Sequence, residues 1–388
     1  MKKSLIALAV LAASGAAMAQ SSVTLFGVLD LGVESVKTNA GTITGLAPSA
    51  NSSSRLGFKG TEDLGGGLAA SFWLEAALNP SSGIGSSGTS TANQAGGNNI
   101  AAGGLTFNRR STLSLSGNFG EVRIGRDYTP SFWNTAIFDP FGANSVGATL
   151  SNYTGNGSAT TFVRASNSIG YFLPNNLGGF YGQGMYAFGN QANNATGTGY
   201  TTGENTSSNG RYVGLRVGYA QGPIDTALAY AKTNYAAGTN TASLLGTSFA
   251  AGNFTDLNWG GSYDFGVAKV MATITNQKLD DFVTAGNSDS TKGWSLGVNA
   301  PVGAGNVLAQ YSAVKLDSAK SNKWSFGYQY NLSKRTAVYG IVARVGNSGG
   351  AASTAGSFSS GSLSAVGTTA VNANQNSTGL DIGIRTSF

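Results

Sequence analysis

STGLDIGIRTSF, residues 377–388, alternates without a break. Leu380, Ile382, Ile384, Thr386 and Phe388 fall on one side, and Gly379, Asp381, Gly383, Arg385 and Ser387 fall on the other. A period of two with one apolar and one polar face is the mark of a strand lying between two media. The last residue of the sequence is a bare aromatic, Phe388. An apolar strand left as an edge invites aggregation, so this segment asks for a pairing partner elsewhere in the chain.

The other end of the sequence narrows the choice of medium. MKKSLIALAVLAASGAAMA (1–19) holds two lysines, an apolar run from Leu5 to Ala13 and an Ala17-Met18-Ala19 ending. In that order the three regions read as a secretory signal peptide cleaved before Gln20, with 20–388 as one domain. The apolar run is shorter than the roughly 20 residues that a helix needs to cross a bilayer. Cleavage removes two lysines and no acid, lowering the formal charge from +6 to +4.

Composition closes several routes. With no cysteine a disulfide framework is excluded, in a compartment that would permit one. With no histidine there is no Ser-His-Asp triad and no HExxH zinc site. There is no Walker-type GxxxxGK either. Nothing here points to an enzyme, a metal site or a cofactor, and a mild basic excess without an arginine-rich run does not point to nucleic acid.

Sixteen alternating segments are readable: 22–36, 53–62, 67–78, 106–117, 120–127 and 167–174, then nine more, then 377–388. In the first, Val23, Leu25, Leu29, Leu31 and Val33 alternate with Thr24, Phe26, Val28, Asp30 and Glu34. Most segments approach the roughly 9–11 residues that a tilted strand needs to cross a membrane. A soluble sandwich would alternate equally well, so the connections decide. Short ones (EDLGG at 62–66, GNFG at 117–120, QGP at 221–223, DFG at 264–266, LSKR at 332–335) take turns with long Gly/Ser/Asn segments. The long ones include 37–52, 79–105, 128–166 and 347–376, with one short exception around 318–320. Tight turns at one rim and long loops at the other describe an up-and-down barrel in the outer membrane, its turns periplasmic and its loops extracellular. The fold expected is an all-β, 16-stranded antiparallel transmembrane β-barrel. Closing it pairs the last strand with the first and leaves no edge, with Phe388 in the aromatic girdle.

Specific stretches then carry a resemblance. SSVTLFGVLDLGVE (21–34), SRLGFKGTEDLGGGLAASFWLE (54–75), NRRSTLSLSGNFGEVRIGRDYTP (108–130), FDPFG (138–142), VRASNSIGY (163–171), YQYNLSKRTAVYG (328–340) and the final GIRTSF follow in order. The chain resembles the general porins of Gram-negative outer membranes, especially their betaproteobacterial branch. The resemblance implies a homotrimer of sixteen-stranded barrels whose third long loop, about 128–166, folds into the lumen as a constriction. It implies basic constriction residues at Arg55 in SRLGFKG, Arg109 in NRRS and Arg164 in VRASNS. Facing acids are implied at Asp139 in the loop, Asp127 at its start and Glu75 at the end of the third strand. A second loop acid known in the family is missing, because Pro140, Phe141 and Gly142 follow directly. The resemblance also makes Phe388 part of the signal read by the barrel-assembly machinery.

Parity gives an independent reading. Arg55 shares the inward side with Gly57 and Lys59. Outward Leu113 and Leu115 send Arg110 in and Arg109 out, against the family match, unless a bulge intervenes; both arginines stay candidates. Arg126 shares parity with Val122 and Ile124, as a rim or trimer contact, while Arg123, Arg216, Arg344 and Arg385 read as inward. Glycine-rich inward faces suit an open lumen. The function expected is passive diffusion of small hydrophilic solutes and ions, with a modest anion preference from fixed positive charge. The alternatives are a channel specific for an anion or sugar, which would need a long aromatic slide or basic ladder, and a structural or adhesive barrel. Expected partners are outer-membrane lipid, including lipopolysaccharide, together with further copies of the chain.

Overall fold

The computed structural model describes residues 22–85, 104–150, 161–189, 210–234, 241–244, 247–250, 253–280, 288–356 and 371–388. The signal at 1–19 and its cleavage point lie outside them. Along one arc of the wall run β1 (Ser22–Thr38), β2 (Arg55–Gly65), β3 (Leu68–Asn79), β4 (Arg110–Gly117), β5 (Gly120–Tyr128) and β6 (Arg164–Phe172). Then come β7 (Phe180–Ala187), β8 (Tyr212–Gln221), β9 (Ile224–Asn234), β10 (Asn253–Asp264) and β11 (Lys269–Asp280). β12 (Ser288–Val302), β13 (Gly305–Leu316), β14 (Ala319–Asn331), β15 (Thr336–Ser348) and β16 (Ser377–Ser387) complete it.

Each strand pairs antiparallel with the next, and β16 pairs with β1 from Val28↔Ser387 to Lys37↔Thr378. The barrel is closed, so the strand at 377–388 has its partner. Beyond the ladder, Gly27 and Phe388 exchange two backbone hydrogen bonds of 3.1 Å. The Phe388 ring lies over Gly27 where a Cβ would collide with it; only glycine permits that approach. On β16 the outward side chains are exposed, Ile382 by 58 %, while inward Asp381 is fully buried.

Three of the boundaries that differ from expectation bear on the lumen. β4 begins at Arg110 and β6 at Arg164, so both start beside the site discussed below. β1 runs on to Thr38 and pairs its upper half with an added strand, Gly41–Pro48. Between that strand and β2 the chain wraps the Asp30 carboxylate, which accepts from the Asn51 and Ser52 amides at 3.1 and 2.6 Å.

The long connection after β5 turns into the lumen. Pro130 opens helix α1 (Pro130–Ile137), where its fixed φ fits and its missing N–H is no loss. Asn134 of α1 donates to the Ala227 carbonyl at 3.0 Å and to Asn258 at 2.9 Å, and Arg216 donates to Asn134 at 2.6 Å. Further along, Phe138 packs on Gly260, Pro140 on Gly297 and Phe141 on Gly327. A Cβ at Gly297 would lie 2.7 Å from Pro140, so these inward glycines are seats for loop rings and not only empty space. Lys323 and Ser325 of β14 donate to the Ala148 and Gly147 carbonyls at 2.8 and 2.9 Å. Asp381 of β16 accepts from the Val146 amide at 2.9 Å. Among the described residues the anchors of the loop therefore lie along the inner wall from β8 round to β16, while α1 also packs on Tyr128 at the end of β5.

Candidate functional site

The lumen face of β2 to β6 carries the charged residues. Glu75 sits near the end of β3 with its carboxylate buried. Arg109 donates its Nε proton to Glu75 Oε1 at 2.5 Å and an Nη2 proton to the Tyr128 hydroxyl at 2.6 Å. Arg164 reaches the same hydroxyl at 2.8 Å, its guanidinium 4.3 Å from the Tyr128 ring centroid. Arg55 lies 3.9 Å from Glu75 Oε1 and donates to the Ser53 carbonyl at 2.9 Å. Three guanidiniums thus gather round one carboxylate and one phenol. Tyr128 is held in turn by Phe132 and Trp133 of α1, at centroid distances of 5.4 and 5.1 Å.

A second group lies one step toward the short turns. Arg110 is 3.4 Å from Asp127 and lies over the Trp73 ring at 4.5 Å. Arg123 binds Asp127 at 2.6 Å and Glu121 at 2.9 Å. Lys59 stands 5.0 Å from Trp73 and 5.5 Å from Phe26. Lys59, Trp73, Arg110, Glu121 and Arg123 line a recess of about 390 Å³. Cations over aromatic faces gain on the order of 0.5–2 kcal/mol each, which holds long side chains against the wall and out of the path.

Both Arg109 and Arg110 face inward, and the reason is local. Arg110 is the ladder partner of Glu75, while the Arg109 amide donates to the Glu75 carbonyl at 3.1 Å. Two residues oppose one, as in a bulge, so strict alternation does not bind Arg109. On β5 the register shifts between Gly125 and Asp127, and Gly125 takes φ +124°, a conformation suited to glycine. The shift leaves Asp127 inward and turns Arg126 aside to Asn108 O and Ser166 Oγ, at 2.6 and 2.8 Å.

Two expectations need correction. Asp139 does not oppose the arginines. Its oxygens accept from the Phe141 and Thr149 amides, both at 2.8 Å, inside the loop, and burial pushes its carboxyl up to about 6. The cation that acts on it is Lys323 of β14, not the arginines. Arg344 is exposed on the outer face beside Val342, because the buried residues of β15 are the odd-numbered Tyr339, Ile341, Ala343 and Val345. Arg216 and Arg385 do point inward, to Asn134 and Asn51. Sequence reasoning missed Tyr128, which nothing in the pattern singles out. It also missed Asp381 as a loop anchor, although an acid on the inward face of the last strand was a usable signal.

Comparison with known proteins agrees with this architecture. Residues 5–350 match the Gram-negative porin family. Outer membrane porin protein 32 of Delftia acidovorans is 41% identical over 398 residues, with 100% of both chains covered. An outer membrane porin protein of Bordetella pertussis is 31% identical over 385 residues, covering 87% of this chain and 93% of its own. Among solved structures, the anion-selective porin from Comamonas acidovorans superimposes with a TM-score of 0.73 at 36% identity, covering 95% of this chain and 100% of its own. A closed sixteen-stranded barrel with an infolded loop, matched along its length by outer-membrane channels, has one reading: the chain belongs to the Gram-negative porin family and forms a passive diffusion pore in the outer membrane.

Proposed function

We propose that this pore prefers anions, with its narrowing formed by the loop at about 128–166 against the wall of β2 to β6. One observation carries the reading. Arg55 and Arg109 share a single carboxylate, Glu75, within ion-pair reach, and Arg164 joins them through the Tyr128 hydroxyl that Arg109 also holds. The uncompensated positive charge stands in a narrow space with low-dielectric walls, where it raises the local concentration of anions. Asp139 does not offset it, being spent on loop amides. Below, Lys59, Arg110 and Arg123 face Asp127 and Glu121, so an anion leaving the upper cluster meets a weaker field of the same sign. The anion selectivity of the porin from Comamonas acidovorans supports this reading.

The proposal extends to assembly. The outward faces of β1 and β16 show Val23, Leu25, Leu29, Val33, Leu380, Ile382 and Ile384, and among the described residues Phe388 is their one large exposed aromatic. Elsewhere near the short turns the wall shows Phe119, Phe180, Tyr263, Phe265 and Tyr330. Aromatic girdles belong where a barrel meets lipid; the aliphatic sector fits another copy in a homotrimer. Phe388 acts in barrel assembly and closure, not in transport. The test of the pore reading is the zero-current potential across a planar bilayer in a KCl gradient, with a size series in liposome swelling. A cation-selective potential in the unmodified protein would overturn the anion preference.

A further inference from the structure

β12, β13 and β14 carry Lys292, Lys315 and Lys320 on their outward faces, all three exposed. The register sets them side by side, with Lys292 opposite Lys315 and Lys315 opposite Lys320. Directly opposed residues lie about 4.5–5.5 Å apart at Cα, and like charges so placed are unfavourable. Lys232 on β9, Lys278 on β11 and Arg344 on β15 extend the row on the same outward side. The ion pairs of the described residues all lie on the lumen side and involve none of the three central lysines. A row of this kind is stable when an anion lies across it.

Its position says which anion. Nearer the membrane centre on the same faces, two residues from Lys292 and four from Lys315 and Lys320, Trp294, Tyr311 and Trp324 form a cluster with centroids 5.4 and 4.5 Å apart. Trp324 is 64 % exposed. Exposed aromatics at this height mark the boundary between hydrocarbon and headgroups. Two to four residues of strand carry the lysine Cα atoms about 7–14 Å further along the strands, to headgroup level. The connection between β13 and β14 is a tight turn at Asp317–Ser318, the exception among the outer connections, so no long loop rises between these strands to cover the row.

We propose that this row docks the phosphorylated headgroup of lipopolysaccharide in the outer leaflet, with phosphates bridging Lys292, Lys315 and Lys320 and acyl chains lying on Trp294, Tyr311 and Trp324. The site is separate from the pore and makes this sector of the wall the lipid-bound one. The experiment uses folded, detergent-purified protein, with binding measured to lipid A carrying its phosphates and to the same lipid after phosphatase treatment. Each lysine removed weakens binding on the order of fivefold, so Lys292→Gln, Lys315→Gln and Lys320→Gln combined lose on the order of a hundredfold. The matching triple arginine variant keeps binding, and single-channel conductance is unchanged in both, which separates this proposal from the pore reading. Equal binding of dephosphorylated lipid A, or a glutamine variant that binds like the parent, would overturn it. Inorganic phosphate competing as well as lipid A would assign the row to a soluble anion and also overturn it.

Discussion

Arg109 and Glu75 meet twice: side chain to side chain at 2.5 Å, and Arg109 amide to Glu75 carbonyl at 3.1 Å. Both side chains are largely shielded from solvent. A shielded pair that loses one partner leaves an uncompensated charge and costs about 3–5 kcal/mol. Glu75→Gln is therefore expected to move two properties at once. The reversal potential in a salt gradient shifts toward stronger anion preference, and the folded band on unheated gels converts at lower temperature. A variant with the parent's reversal potential would show that Glu75 does not hold down the field.

Arg55→Gln and Arg164→Gln act in the opposite sense. Each is expected to shift the reversal potential toward cations while leaving the barrel folded. Fixed charges acting at a distance fade beyond about 8 Å at physiological salt. In the proposed narrowing, Arg164 is bonded to Tyr128 and stacked on its ring. The Arg164 effect should thus survive a rise in salt better than that of Lys59→Gln, whose side chain lies lower on the wall. Equal salt dependence of the two would place Arg164 outside the constriction.

The fold was legible in the sequence because it rests on local rules. Parity along 377–388 and the alternation of short and long connections both follow from the barrel itself, and each strand repeats them. The arginine cluster was legible in part. Arg55 obeys parity, but Arg109 needs the two-against-one opposition to Glu75, which depends on where β4 begins. Asp139 misled for a different reason. A loop that must fold inward buries its own amides, and the acid within FDPFG is used to satisfy them. Nothing local separates an acid that faces a pore from one that braces a turn.

Asp139 also makes the pH dependence specific. Its carboxyl rises from 3.8 to about 6 because burial disfavours the charge, so the folded state binds the proton more tightly than the unfolded chain. The stability this contributes is fully present below pH 3.8 and is lost as pH rises through about 6. A shift of this size corresponds to about 3 kcal/mol. Resistance to denaturant should rise between pH 7 and pH 4 more steeply in the parent than in Asp139→Asn. Parallel curves would mean that the loop does not titrate there.

Phe388 and Gly27 share one test. Deleting Phe388 removes the ring and its ladder bonds; Gly27→Val drives a side chain into that ring. Both are expected to lower the yield of folded, heat-modifiable barrel in the membrane, with normal unit conductance in the molecules that fold. Normal yield with reduced conductance would assign Phe388 to transport.

Residues 1–19 are expected to be absent from protein recovered from the outer membrane, with Gln20 first. N-terminal sequencing decides it, and an intact Met1 would refute the assignment.

The glycine seats at Gly260, Gly297 and Gly327 have an effect beyond holding the loop. By holding the described part of the loop to the wall of β10, β12 and β14, they favour a path along the arginine-bearing wall. A solute in transit then has a charged neighbour on one flank and an occupied, self-satisfied one on the other. Passage depends on which way a molecule's dipole points as well as on its size and net charge. Two positional isomers of one small organic acid, alike in mass and charge but differing in where the carboxylate sits, should cross at unequal rates.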